Sequence, residues 1–298
     1  MVYRCNLENL NIILRNVKIM AIITFKSNEI KETGQTLSLV ATATQMAIEH
    51  AHKILIVSTN FKDVTLENCF WELDRLNKPI STGKEYAAVG VDSGVEGLVK
   101  VLLTNKTSTD IVKNYSKTLL RDRLDVLASP KTENYQEYIQ IAGNYPELLR
   151  AADRYYDLVF VDLTTRMEER VAQTILDVSD IVILNITQRL KNINDFIELK
   201  QTDEFYKRRN IMLLLGRYDG HSKYNIKNVT RYMREKKSIL AVPYNTLFFE
   251  ACSEGKVIDF FLKLKNIDDN DRNYKFISEI NRVDTEILYK LQELQMKI

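Results

Sequence analysis

The residues best suited to chemistry lie between an apolar run and a helical pattern early in the chain. Lys31-Glu32-Thr33-Gly34-Gln35-Thr36-Leu37-Ser38 follows a run of branched and aromatic residues and precedes a helix rich in small side chains. A strand, a loop and such a helix can hold phosphate. Backbone N–H groups and the helix N-terminus cradle it, a lysine reaches its terminal oxygens, and a Ser or Thr hydroxyl ligates magnesium. This loop has one glycine where several are expected, and two registers are open. If Gly34-Gln35-Thr36 stands for Gly-Lys-Thr, the lysine has become Gln35. If the helix is placed by its distance to the next strand, the lysine position falls on Leu37 and the hydroxyl on Ser38. Both registers lose the lysine. Lys26 and Lys31 remain as loop cations that either reach an anion or are simply solvated. From these residues alone, an ordinary strand–helix connection is favoured over a working phosphate loop.

The elements that must position this loop come from apolar runs of strand length. They are Ile19–Phe25, Ile54–Val57, Leu124–Leu127, Leu158–Val161 ending at Asp162, Ile181–Leu184, Ile211–Leu215 and Ser238–Val242, the last stopped by Pro243. Most are apolar at consecutive positions, which suits strands buried on both faces of a parallel sheet. Helical patterns fill 36–51, 94–105, 144–155, 167–178, 193–208, 225–236 and 274–297. The expected fold is therefore α/β: a doubly wound, mostly parallel sheet with helices on both faces. Residues 20–298 read as one such domain, with 1–19 as an N-terminal extension or the product of a start codon placed too far upstream. Segment 61–92, with Trp71, Pro79 and Gly83, reads as a surface excursion. The apolar stripe Ile277, Ile280, Val283, Ile287, Leu291, Leu294 and Ile298 reads as a closing helix packed on the sheet.

Composition narrows the function classes. With 45% hydrophobic and 28% charged residues over 298 positions, the chain can bury a sizeable core. Nine glycines and four prolines are too few for a disordered chain or a turn-dense all-β protein. Forty-two Lys and Arg against 40 Asp and Glu give no overall bias toward nucleic acid or anionic membrane. Cys5, Cys69 and Cys252 are odd in number and widely spaced, which fits a reducing cytoplasm better than a disulfide framework. His50, His52 and His221 are the only histidines, so no His/Cys metal site is expected. No run is long enough to span a bilayer, and Arg4, Glu8 and Arg15 interrupt any signal-peptide core.

Pieces spread along residues 20–265 resemble the ParA/MinD family of deviant Walker ATPases, within the SIMIBI class of P-loop proteins. Tyr156-Asp157-Leu158-Val159-Phe160-Val161-Asp162 looks like the Walker B strand, whose last Asp helps hold magnesium through water. Ser179-Asp180-Ile181-Val182-Ile183-Leu184-Asn185 looks like the family strand that follows. Val242-Pro243-Tyr244-Asn245, with Glu250-Ala251 and Gly255-Lys256-Val257, resembles the family's Pro-Tyr-Asp…Ala…Gly-x-x-Val ending. Thr65–Trp71 and Asp92–Leu98 look like segments of TadZ/CpaE-like proteins of Tad/Flp pilus assembly. The resemblance implies a homodimer, pilus or envelope assembly partners, and a cytoplasmic protein acting at the inner face of the membrane.

The departures bear on chemistry. The family's Asp-x-Asp-Pro after the second strand corresponds to Ser58 and Asn60, and an amide cannot accept a proton or attract magnesium as a carboxylate does. The family's signature lysine falls on Ile30 or Glu32. Phosphoryl transfer depends on neutralising the developing charge, so losing both lysines and this carboxylate implies little or no hydrolysis. Asp63 is a conceivable substitute, though an exposed loop aspartate is the simpler reading. Asp162 itself is either the magnesium carboxylate or a cap for the following helix. At the base-binding end, Arg217 or Tyr244 can stack on adenine, or Arg217 can pair with a neighbouring acid. The expected nucleotide set is thus Gly34, Gln35, Thr36, Leu37, Ser38, Asp162, Arg217, Pro243 and Tyr244, with ATP and Mg bound weakly or not at all and no catalytic residue assigned. Lys207-Arg208-Arg209 and Arg231, Arg234, Lys236 and Lys237 could form a DNA patch, but Glu204 and Glu235 intervene, and solvated helix faces are favoured. The leading expectation is a non-catalytic assembly scaffold. An active ATPase using Lys26 or Lys31 and a DNA-partition protein are the alternatives.

Overall fold

The computed structural model describes residues 20–29, 33–71, 94–104, 108–208 and 210–296. Residues 1–19, Lys31 and most of the 61–92 excursion therefore lie outside the described residues. The strands are β1 (Ala21–Ser27), β2 (Ile54–Ser58), β3 (Lys117–Leu120), β4 (Leu124–Leu127), β5 (Leu158–Asp162), β6 (Ile181–Ile186), β7 (Ile211–Tyr218) and β8 (Ile239–Pro243). They form one eight-stranded sheet in the order β3-β4-β2-β5-β1-β6-β7-β8. Every pairing is parallel except β3 with β4. The doubly wound, mostly parallel sheet expected from the apolar runs is the observed fold.

The helices are α1 (Gln35–Glu49), α2 (Thr65–Asn68), α3 (Val95–Leu102), α4 (Ile111–Tyr115), α5 (Tyr135–Ala142), α6 (Tyr145–Asp153), α7 (Glu169–Asp177), α8 (Leu190–Thr202), α9 (Ile226–Met233), α10 (Thr246–Glu254), α11 (Val257–Lys263) and α12 (Tyr274–Gln295). A 3₁₀ turn over Glu204–Lys207 follows α8, so the helical pattern at 193–208 is broken near its end. The antiparallel edge strand β3 was not legible as a strand. It is four residues long, with Lys117 and Thr118 exposed. A charged, short edge strand is a common way to prevent further strand pairing. The short helices α2, α4, α5, α10 and α11 were also not read from periodicity, since each offers too few turns for an apolar stripe to emerge.

Strand alternation assigns side chains to two core layers. Ile22, Leu55, Val57, Val159, Val161, Val182 and Leu184 face the layer containing α3, α5, α6, α7 and α8. Ala21, Ile23, Phe25, Ile54, Ile56, Leu158, Phe160 and Ile183 face α1, α10, α11 and α12. Helix α1 is almost wholly buried, and Ala41, Ala43 and Ala47 let it lie close to the strands. Helix α12 packs on α1 and β8, as its apolar stripe predicts. No helix among the described residues is long and apolar enough to cross a membrane.

Cys69 and Cys252, distant in sequence, both lie in this second layer, free and buried, and the Cys69 thiol donates to the Thr65 carbonyl at 3.2 Å. The neighbouring Cys69, with burial, pushes the Cys252 thiol far up, so it stays protonated.

Asp284 is the anomaly of α12. It is 1% exposed, and neither carboxylate oxygen has a hydrogen-bond partner among the described residues. Burial pushes its pKa well above the usual range, with Glu49 adding to the effect. The protonated acid is therefore favoured in the folded chain. Its stabilising contribution is complete below the unfolded carboxylate pKa of about 3.9 and is lost as pH rises toward the raised folded value. Asp284→Leu is expected to stabilise the protein at neutral pH by about 1–3 kcal/mol, the cost of an unsatisfied buried polar group. It should also flatten the decline in stability above the unfolded pKa. Thermal melts of both proteins across pH check both effects, and an unchanged or lower Tm at neutral pH would contradict them.

Candidate functional site

The loop between β1 and α1 lies at the C-terminal ends of the parallel strands, where open α/β sheets place ligands. Gly34 precedes the first helical residue with φ 74°, a left-handed conformation that suits glycine. An added Cβ there would come within 2.7 Å of Arg217 Cγ. The loop is also fixed from behind. Asn185 Nδ2, at the end of β6, donates to the Thr33 carbonyl at 2.7 Å. Gly216, in β7, lies so close that an added Cβ would be 2.3 Å from the same carbonyl oxygen. Both Asn185 and Gly216 escaped sequence reasoning as site residues. Asn185 closes a quoted motif, but its partner is a backbone atom that sequence does not identify.

Asp162 is the centre of the site. It ends β5 on the face that carries Phe160, and registers opposite Phe25 of β1 and Ser58 of β2. The residue is fully buried. Gln35 Nε2 donates to its Oδ1 at 2.7 Å, Thr36 Oγ1 to its Oδ2 at 2.8 Å, and Asn60 Nδ2 to the same Oδ2 at 3.0 Å. Gln35 Nε2 also donates to the Leu163 carbonyl at 3.0 Å. Behind the carboxylate, Thr59 Oγ1 donates to the Asp162 carbonyl at 2.9 Å and accepts from Thr164 N at 2.9 Å. Burial raises the Asp162 pKa; the bonds from Gln35, Thr36 and Asn60 oppose that rise, and Asp63 adds to it.

This geometry resolves the open register: Gln35 and Thr36, rather than Leu37 and Ser38, face the carboxylate. Leu37 and Ser38 are also on the pocket wall. The cavity is about 520 Å³ and brings together Gly34, Gln35, Thr36, Leu37, Ser38, Asp162, Arg217, Pro243 and Tyr244. Arg166, Asn245 and Phe249 join them, unforeseen from sequence. Pro243 ends the edge strand β8, where a missing N–H is tolerated. Tyr244 is 51% exposed, its N–H donates to the Tyr218 carbonyl at 2.9 Å, and its ring centroid lies 6.4 Å from that of Phe249. Asn245 caps α10 by accepting from Phe248 N at 2.9 Å.

Other expected participants are engaged elsewhere. Lys26 is on the opposite face of β1 from Phe25. Its Nζ is 3.8 Å from Glu169 and 5.6 Å from the Phe205 ring centroid, so it does not line the cavity. Asp63 lines the cavity, but its Oδ1 accepts from Thr65 N at 3.0 Å and Thr65 Oγ1 at 2.5 Å, a local turn just before α2. Part of the basic segments is paired. Lys207 pairs with Glu204, Lys200 with Glu235, and Arg208 with Asp177 at 3.6 Å. Lys237 Nζ donates to the carbonyls of Arg208 and Ile211 at 3.0 and 3.3 Å.

Magnesium does not fit this donor set. The ion requires hard oxygen ligands, usually one or two carboxylates with water and substrate phosphate. Here two amides turn their N–H groups toward the only fully buried carboxylate of the pocket. Reversing either amide would set its oxygen against that carboxylate.

Comparison with solved structures shows the fold's relatives. The chain is similar to a ParA family ATPase from Chlorobium tepidum, with TM-score 0.63 and 16% identity over 89% of this chain and 98% of that one. It is similar to the septum site-determining protein MinD from Pyrococcus horikoshii, solved with Mg-ADP, with TM-score 0.61 and 15% identity over 91% and 98% of the two chains. It is also similar to the MinC:MinD cell division complex of Aquifex aeolicus, with TM-score 0.57 and 13% identity over 89% and 96%. At these identities the likeness is one of fold, the P-loop NTPase fold of the ParA/MinD ATPases. No protein-family model and no curated protein matches the chain.

Asn60→Asp tests the neutral-donor ring. The change removes the 3.0 Å bond to Asp162 and sets a second carboxylate against it. Two adjacent buried carboxylates share a raised pKa, so stability should be retained at acid pH and lost as pH rises through the pair's raised value. The expected cost at neutral pH is about 1–3 kcal/mol. Urea melts at acid and neutral pH check it, and equal stability loss at both would count against the ring.

Proposed function

We propose that the chain is a ParA/MinD-like protein that hydrolyses ATP poorly or not at all and works as a localisation or assembly scaffold, serving a Tad/Flp-type pilus. The observation that carries this reading is the occupation of Asp162 by Gln35, Thr36 and Asn60. Two of those residues stand where the resemblance places the phosphate lysine and the water-activating carboxylate. Each replacement exchanges a charge for a neutral amide that stabilises the apo site. Neither can neutralise a transferring phosphoryl group or position its attacking water.

The fold likeness supports a protein that works through partners: one neighbour was solved as a MinC:MinD complex. The resemblance of Thr65–Trp71 to TadZ/CpaE-like proteins supports the pilus assignment, with a cytoplasmic protein recruiting envelope components. Lys26, held by Glu169 and Phe205, weighs against an active ATPase that uses it as a substitute lysine. The ion pairs of Lys207 and Arg208 weigh against a DNA-partition protein.

Two measurements bear on this reading. Phosphate release from ATP–Mg is expected at background, with weak or no calorimetric heat of ATP–Mg binding. Turnover that disappears in Asp162→Ala would overturn it. Because neither candidate for the cross-dimer lysine position is a lysine, any homodimer should persist without nucleotide. Light scattering that shows a monomer pairing only on addition of ATP would contradict that second expectation.

A further inference from the structure

Cations from three connections converge on a small cavity at the end of the sheet opposite Asp162. The cavity is about 150 Å³ and lies at the N-terminal ends of β2 and β4, lined by Lys53, Lys113, Arg121 and Arg123. Asp162 registers with Ser58, at the other end of β2. Open α/β sheets place ligands beyond the C-terminal ends of their strands, so this cavity is separate from the loop between β1 and α1. Lys53 precedes β2, Lys113 belongs to α4, and Arg121 and Arg123 lie in the turn from β3 to β4. The backbone of Lys53 is fixed: its N–H donates to Asp157 Oδ2 at 2.7 Å, and its carbonyl accepts from Asp157 N at 2.9 Å. The Lys53 ammonium lies 4.9 Å from the Tyr155 ring centroid, and the Lys113 ammonium lies 5.7 Å from the same centroid. Arg123 Nη1 donates to the His50 carbonyl at 2.7 Å, which anchors the guanidinium at the rim.

The nearby acids leave these cations uncompensated. Lys53, Lys113 and Arg123 make no ion pair among the described residues. Asp122 faces Arg121 at 3.7 Å. Asp125 is buried, and its Oδ2 accepts from Tyr156 Oη at 2.7 Å. Four cations against these two carboxylates of the wall leave an excess of two positive charges. Like charges gathered around one small cavity repel each other, and an anion between them removes that cost. Lysine and arginine are the side chains that hold phosphate, by point charge and by fork. The volume lies below the roughly 300 Å³ of pockets for drug-sized ligands. It suits one tetrahedral oxyanion and excludes a nucleotide. We infer that this cavity binds a doubly charged phosphate group, as inorganic phosphate or as the end of a phosphate monoester, held by Lys53, Lys113 and Arg123. The inference does not depend on whether the chain hydrolyses ATP.

Calorimetry on the full chain at constant ionic strength tests it with sodium phosphate, glycerol 1-phosphate and sodium acetate. Both phosphates should bind saturably at millimolar concentration, and acetate should not. Lys53→Gln and Lys113→Gln should each weaken phosphate about tenfold, the scale of one charge-assisted contact. Lys113 is half-buried on a short helix, so its variant carries the test if Lys53→Gln melts early. Arg217→Gln, in the other pocket, should leave phosphate binding unchanged. Co-sedimentation with vesicles of phosphatidic acid, against vesicles of phosphatidylcholine, separates the sources of the group. Binding to the former that is lost in Lys53→Gln assigns a lipid headgroup, and binding to neither assigns a soluble phosphate. Absence of saturable phosphate binding would overturn the inference. So would binding unchanged in a folded Lys113→Gln, or binding lost in Arg217→Gln, which would place the anion at the loop before α1. Phosphate release from ATP bears only on the preceding proposal, and either reading can fail without the other.

Discussion

A fully buried carboxylate must be satisfied, and the site is organised around that requirement. Asp162 lies at the end of a central strand, where an unpaired charge would cost several kcal/mol (roughly the effective desolvation penalty per buried ion). Gln35, Thr36 and Asn60 provide its donors from two separate connections, β1 to α1 and the one leaving β2. Meeting one electrostatic need therefore fixes where α1 begins relative to β2. The same bonds close the carboxylate to a metal.

The phosphate-facing loop is held with similar economy. Asn185 grips the Thr33 carbonyl, and Gly216 leaves room for that carbonyl against β7. The loop is consequently anchored to the strands on the other side of β1 from Asp162, which links both halves of the sheet at the cavity.

Beyond the cavity, polar and reactive groups are mostly held in structural contacts. Cys69 and Cys252 lie in the α1-side core, and the Cys69 thiol donates to the Thr65 carbonyl. The basic residues near the end of α8 bond to acids or carbonyls. Asp284 stands apart, buried beside the apolar residues of α12 with neither carboxylate oxygen hydrogen-bonded among the described residues. Its protonated form lowers the desolvation cost, so its effect appears in the pH dependence of folding.

Sequence alone determined the sheet. Most of the seven strands read from it are apolar at consecutive positions, and burial on both faces leaves that mark in a single chain. The residue types at Gln35 and Asn60, neutral amides where the family resemblance implies a lysine and a carboxylate, were also legible there. Spacing could not choose between Thr36 and Ser38, place Lys26 on the wrong face of β1, or reveal that Cys69 neighbours Cys252. Such contacts join residues from distant parts of the chain, and their partners include backbone atoms that have no sequence signature. The edge strand β3 remained hidden because a half-exposed strand need not be apolar. Only tertiary structure decided that Gln35 and Asn60 do more than replace functional residues. They turn their amides onto Asp162 because a buried carboxylate, wherever the fold puts it, requires donors.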